Sequence, residues 1–225
     1  MVKRANLADS PGVASLDLRP VQVSVRPVRR LSQLVGGLLL YGASMAMLTR
    51  AGLGLDPWDV LHEGLTELTG LTFGTITAIT AVAVLLLWIP LRQRPGIGTV
   101  LNVVLIAVTV DLVRAVLPEQ HDLAWQIVLL VAGIVLNGLA SASYVGVRLG
   151  PGPRDGLMTG LSARTGRSVR LVRTGIEVTV LAAGWLLGGT VGVGTVLYAL
   201  AIGPLIQAFL PLVAWRTEVS SPGGG

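Results

Sequence analysis

Of the 225 residues, 52% are apolar and only 13% are charged, with 17 Lys/Arg against 12 Asp/Glu. A soluble domain carries about twice that charged share, so a freely dissolved globular protein is excluded first. There is no cysteine, which removes disulfides, thiolate chemistry, palmitoylation and a prenylation box at the terminal Ser221-Pro222-Gly223-Gly224-Gly225.

Residues 1–30 mix Lys3 and Arg4 with Asp9, Pro11, Asp17 and Pro20. They lack the apolar run and cleavage site of a signal peptide and read as a disordered tail. Six apolar stretches follow, at 31–49, 73–91, 97–117, 124–147, 170–188 and 193–215. Each is long enough to cross a hydrocarbon core of about 30 Å. Lipid offers no hydrogen-bond partners, so helices that satisfy their own peptide groups are the form such spans take. The expectation is an all-α polytopic membrane protein of six transmembrane helices, with 217–225 as a second disordered tail.

Between the first two spans lies Gly52-Leu53-Gly54-Leu55-Asp56-Pro57-Trp58-Asp59, continuing to Gly70. Asp56 suits an N-cap, Pro57 the first helical position and Gly70 the C-terminal cap. The enclosed helix of about 13 residues is about 20 Å long, too short to span. Trp58, Leu61, Leu65 and Leu68 share one face, and Asp59, His62, Glu63 and Thr66 lie on others. Two readings follow: an amphipathic connector lying in the interface, or a half-helix dipping into the protein with its positive N-terminal end toward a central cavity.

Further along, polar residues enter the spans: Tyr41, Asn102, Asp111, Asn137, Tyr198 and Gln207. Such groups glue helices together or line a path. Asp111 precedes Arg114 by three residues and Arg173 precedes Glu177 by four, spacings that place each pair on one face as intrahelical ion pairs. The functional alternative is a proton relay through Asp111 and Glu177. Trp125 and Trp215 read as interface anchors, and Gly184 with Gly188 as a weak helix-packing motif. His62-Glu63 lacks the second histidine of a zinc protease, and His121 has no clustered ligands. No nucleotide loop or serine-elbow motif occurs, so neither metal, cofactor nor enzyme activity is expected.

Basic residues cluster before the first span, between spans two and three, and between spans four and five, with Arg216 after the last. With six crossings, fifteen of the seventeen fall on one side and only Arg50 and Arg114 on the other. That is the positive-inside pattern, which puts both termini in the cytoplasm and explains the basic charge without a nucleic-acid partner.

The chain overlays on itself without a gap at a shift of 96 positions. Leu53-Gly54, Pro57, Asp59, Leu61, Gly64-Leu65 and Thr69-Gly70 fall on Leu149-Gly150, Pro153, Asp155, Leu157, Gly160-Leu161 and Thr165-Gly166. Gly98-Thr99-Val100-Leu101 falls on Gly194-Thr195-Val196-Leu197. The expected units are 31–120 and 121–216. Three crossings per unit is an odd number, so the second copy enters the bilayer in the opposite orientation, an arrangement recurrent among transporters.

With Gly-Leu-Gly-x-x-Pro-x-Asp after the first span, Gly150-Pro151-Gly152-Pro153-Arg154-Asp155-Gly156 after the fourth and Gly96-Ile97-Gly98-Thr99 opening the third, the chain resembles the YczE/YyaS/YitT group of bacterial membrane proteins over about 31–210. The resemblance implies a bacterial cytoplasmic-membrane protein and supplies no substrate. The expected function is a small-molecule or ion transporter working by alternating access between the repeats, or else an accessory scaffold that moves nothing. The substrate site is expected at Asp59, Asp155, Gly54, Pro57, Gly150, Pro153, Asn102 and Asn137. The expected partners are the lipid bilayer and an unknown small molecule or ion, and association into a homo-oligomer stays open.

Overall fold

A computed structural model describes residues 26–215. They form eight helices: α1 (Pro27–Ala51), α2 (Pro57–Thr69), α3 (Phe73–Leu91), α4 (Ile97–Val116), α5 (Leu123–Gly146), α6 (Pro153–Thr165), α7 (Val169–Leu186) and α8 (Val193–Val213). Five of them, α1, α3, α4, α5 and α8, are long and apolar enough to cross a membrane. The sixth expected span, 170–188, corresponds to α7, whose 18 residues include Arg170, Arg173 and Glu177, so it lacks the long stretch of low charge that each of the other five contains. Helix α1 begins at Pro27, so residues 27–30 are helical and do not belong to the expected tail. Residues 1–25 and 216–225 lie outside the described residues.

Helix ends follow local chemistry. The Asp56 carboxylate accepts from the backbone amides of Trp58 and Asp59, Pro57 occupies the first position, and Gly70 ends α2 with φ +71°. Asp122 and Ser168 cap α5 and α7 in the same way. Asp111 closes the start of α3 from a neighbouring helix, accepting from the Thr72 hydroxyl and the Gly74 amide. That use replaces the expected Asp111–Arg114 pair. Among the described residues no ion pair joins the two, and Arg114 instead lies over the Phe73 ring at 4.8 Å.

The centre of the bundle is α1 packed antiparallel on α5. Gly37 meets Ser143 and Tyr144, and Gly133 meets Leu48 and Ser44. Helix α4 packs along α1 where Gly42 meets Thr109, and α8 packs along α5 where Gly138 meets Leu205. Each short helix lies against a long helix of the other half, α2 on α7 and α6 on α3. There, Gly184 abuts the Val60–Leu61 backbone and Gly156 abuts the Trp88 ring. At these positions a small residue is required because a Cβ would stand on backbone or ring atoms. Gly188, by contrast, has open space around it, so the expected Gly184–Gly188 motif packs only at its first residue.

Both bends between long and short helices rest on the opposite half. The Leu53 carbonyl accepts from the Gly194 amide, and the Leu149 carbonyl accepts from the Gly98 amide. Gly54 takes φ +111° beside Gly192, and Gly150 takes φ +124° beside Gly96. The backbones are too close there for a side chain, and the left-handed angle is one that glycine adopts freely.

Candidate functional site

Helix α2 is turned the opposite way from an interfacial amphipathic helix. Asp59 and His62 are buried completely, whereas Leu68 is 67% exposed and Leu61 and Leu65 are only half-buried. In lipid, an exposed leucine costs nothing, while an unpaired carboxylate is expensive, so the polar face seeks the interior. Trp58, at the head of the apolar stripe, is buried as well.

The start of α2 meets the start of α6. The Arg154 guanidinium, from the first turn of α6, lies 3.6 Å from the Asp56 carboxylate and 3.4 Å from that of Asp59. It also stands over the Trp58 ring at 5.1 Å, a cation–π distance. Asp59 holds the Nδ1 of His62 at 3.2 Å, and the same nitrogen lies 3.3 Å from the Thr77 hydroxyl. Two buried carboxylates therefore share one guanidinium. One oxygen of each, Oδ2 of Asp56 and of Asp59, has no hydrogen-bond partner, nor does the buried Trp58 indole N–H.

On the other side of Arg154 lies a cavity of about 80 Å³. Its wall includes Tyr41, His62, Thr77, Asn102, Tyr144, Arg154 and Asp155. That is room for a few waters or a small solute, well below a drug-sized pocket. Tyr41 and Tyr144 meet edge to face at 6.1 Å, and the Tyr144 hydroxyl donates to Asp155. Gly152 stands where α2 has Asp56, so α6 begins without a side-chain cap. Its loop is held by the Trp88 indole N–H donating to the Pro153 carbonyl at 3.0 Å and by the Thr99 hydroxyl donating to the Pro151 carbonyl at 2.7 Å.

Among the expected site residues, Asp155, Pro153 and Asn102 line this cavity, and Asp59 lies behind Arg154 and Trp58. Gly54, Pro57 and Gly150 shape the two bends. Asn137 is elsewhere: it donates to the Ser44 hydroxyl at 2.9 Å and accepts from the Tyr198 hydroxyl at 2.8 Å, joining α1, α5 and α8. Asp111 and Glu177 are not among the residues lining it. Asp111 caps α3, and Glu177 pairs with Arg173 at 2.7 Å as its spacing predicts. Sequence reasoning used Arg154 only as a topological charge and missed its inward role. The available signal was its place between Pro153 and Asp155, 96 positions after Trp58.

The chain is 38% identical over 186 residues to an uncharacterized protein of Haemophilus influenzae, covering 83% of this chain and 85% of that one. It is 38% identical over 175 residues to the uncharacterized membrane protein YczE of Bacillus subtilis, covering 77% and 81%. It is 26% identical over 181 residues to the uncharacterized protein YyaS of the same bacterium, covering 79% and 90%. No solved structure matches. A family of unknown function, DUF6198, matches residues 28–211, and with its apolar multi-helix body the chain belongs to that family of integral membrane proteins.

Proposed function

We propose that this protein is a transporter of a small molecule or ion, built as two inverted three-helix repeats that give access to the central cavity from alternate faces. The observation that carries the reading is the meeting of α2 and α6, start to start, at a buried charged cluster beside that cavity. Reciprocal packing supports it, since α2 lies on α7 as α6 lies on α3, and α1 on α4 as α5 on α8. Exchanging the halves exchanges these contacts, as inversion about an axis in the membrane plane requires. On this reading α7 is the sixth span, both termini are cytoplasmic, and the membrane is the bacterial inner membrane. The chain catalyses no reaction in this account.

The missing cysteines make the test direct. Thr69 and Thr165 are matched, exposed residues at the ends of α2 and α6. Thr69→Cys is expected to react with a membrane-impermeant thiol reagent from outside, and Thr165→Cys only from the cytoplasmic face. Ala81→Cys, on the cavity wall, is expected to react with a small impermeant reagent from either face. Labelling of residues 69 and 165 from one side ends the inverted arrangement. Access to residue 81 from one face only, under all conditions, favours the scaffold.

A further inference from the structure

The charges around Arg154 do not balance. Asp56 and Asp59 are both buried, they face one guanidinium, and each keeps an oxygen without a partner. Other charged or titratable groups approach from the neighbouring elements: His62 and Glu63 on α2, Asp155 on α6, Tyr41 on α1 and Tyr198 on α8, while on α7, which packs on α2, the Arg173 cation is paired with Glu177. None of these supplies a second permanent cation. Asp155 has a separate partner in the Tyr144 hydroxyl, and Glu63 accepts from the Thr190 amide. An uncompensated buried carboxylate is too costly to persist, and a proton is the smallest charge that neutralises one.

We infer that Asp56 and Asp59 form a proton-binding pair that holds one proton between them opposite Arg154. Two carboxylates in contact titrate as a unit, so this proton belongs to the pair and not to either residue. With the proton on, one carboxylate and Arg154 balance each other. With it off, the pair carries an extra negative charge and grips Arg154 more tightly, drawing the start of α6 toward α2. Binding and release therefore change how firmly the two halves are held together at the cavity. The use of this switch to drive transport rests on the reading above, whereas the proton site itself does not.

The test is infrared difference spectroscopy on the full chain in lipid nanodiscs, between acid and alkaline buffer. A carbonyl stretch of a protonated carboxyl group in a low-polarity setting is expected in the unsubstituted protein. Asp59→Asn and Asp56→Asn are each expected to abolish it, because the remaining carboxylate then pairs with Arg154. The double variant is expected not to accumulate, because it leaves a guanidinium buried without a partner. Absence of the band in the unsubstituted protein overturns the proposal even where a variant fails to fold, and so does a band that persists in both single variants. The two readings fail separately. A correct band with one-sided labelling keeps the proton site and removes transport, whereas two-sided labelling with no band keeps transport and removes the proton site.

Discussion

The segments 56–62 and 152–158, each opening a 13-residue helix that starts with proline, do different work. In the first, Asp56 caps its own helix, Asp59 is buried behind Trp58 and His62 reaches the cavity wall. In the second, Gly152 provides no cap, Arg154 replaces the tryptophan, and Asp155 faces the cavity with Tyr144. The first segment supplies the anions and the aromatic ring, the second the cation that completes both contacts. The two share a proline start and a glycine bend and differ in the chemistry of their side chains. A single polar centre is made from two unlike segments.

The comparison breaks most readily at Arg154. Arg154→Met leaves two buried carboxylates without their cation and is expected to cost about 3–5 kcal/mol, read as a fall in the thermal midpoint in detergent. Adding Asp59→Asn to that variant is expected to restore part of the loss; no fall at all in the single variant would show that the cluster contributes nothing to stability. Next in size is the close packing between the halves, where the Trp88 ring fills the space beside Gly156 and the Val60–Leu61 backbone fills the space beside Gly184. A Cβ at residue 156 would stand 2.0 Å from the Trp88 ring, so Gly156→Ala is expected to cost about 1–3 kcal/mol. Combining it with Trp88→Phe should relieve that cost, and an unrelieved double variant would place the strain elsewhere.

Smaller again is Asn137→Ala, which removes a bond to the Ser44 hydroxyl, itself still held by the Tyr41 carbonyl, and strands the Tyr198 hydroxyl. About 1 kcal/mol per lost bond is expected, with two-sided labelling of Ala81→Cys unchanged if Asn137 is glue. The least effect belongs to Glu177→Gln, which breaks a half-exposed pair with Arg173. It is expected to shift stability by less than about 0.5 kcal/mol, and loss of cavity labelling in that variant would return Glu177 to the proton relay expected from its position.

Much of the architecture was legible because local chemistry marks it. Asp56-Pro57 and Gly70 bound α2 at the residues expected, since capping and left-handed termination are decided within a few positions. The long helices follow from apolar length alone. The orientation of α2 was not legible from its amphipathic pattern, because that pattern shows only that two faces differ. In water the leucines would turn inward, and in a bilayer Asp59 and His62 do so. Arg154 was hidden for another reason: its partners are 95 and more residues away, and a count of charges per loop treats every arginine alike. Asn137 and Asn102, equally polar in sequence, separate into tie and cavity wall only through the partners that each meets.

The reciprocal bonds at the two bends set an order of events during synthesis. When α8 emerges, the Leu53 carbonyl that receives Gly194 already exists. When α4 emerges, the Leu149 carbonyl that receives Gly98 has not yet been made. The first half therefore stays unfinished in the bilayer until α5 has been threaded beside it, with the Gly98 amide bare at the head of α4 for that interval. A chain cut off after α4 would keep that amide unmet, whereas the second half arrives at a waiting partner.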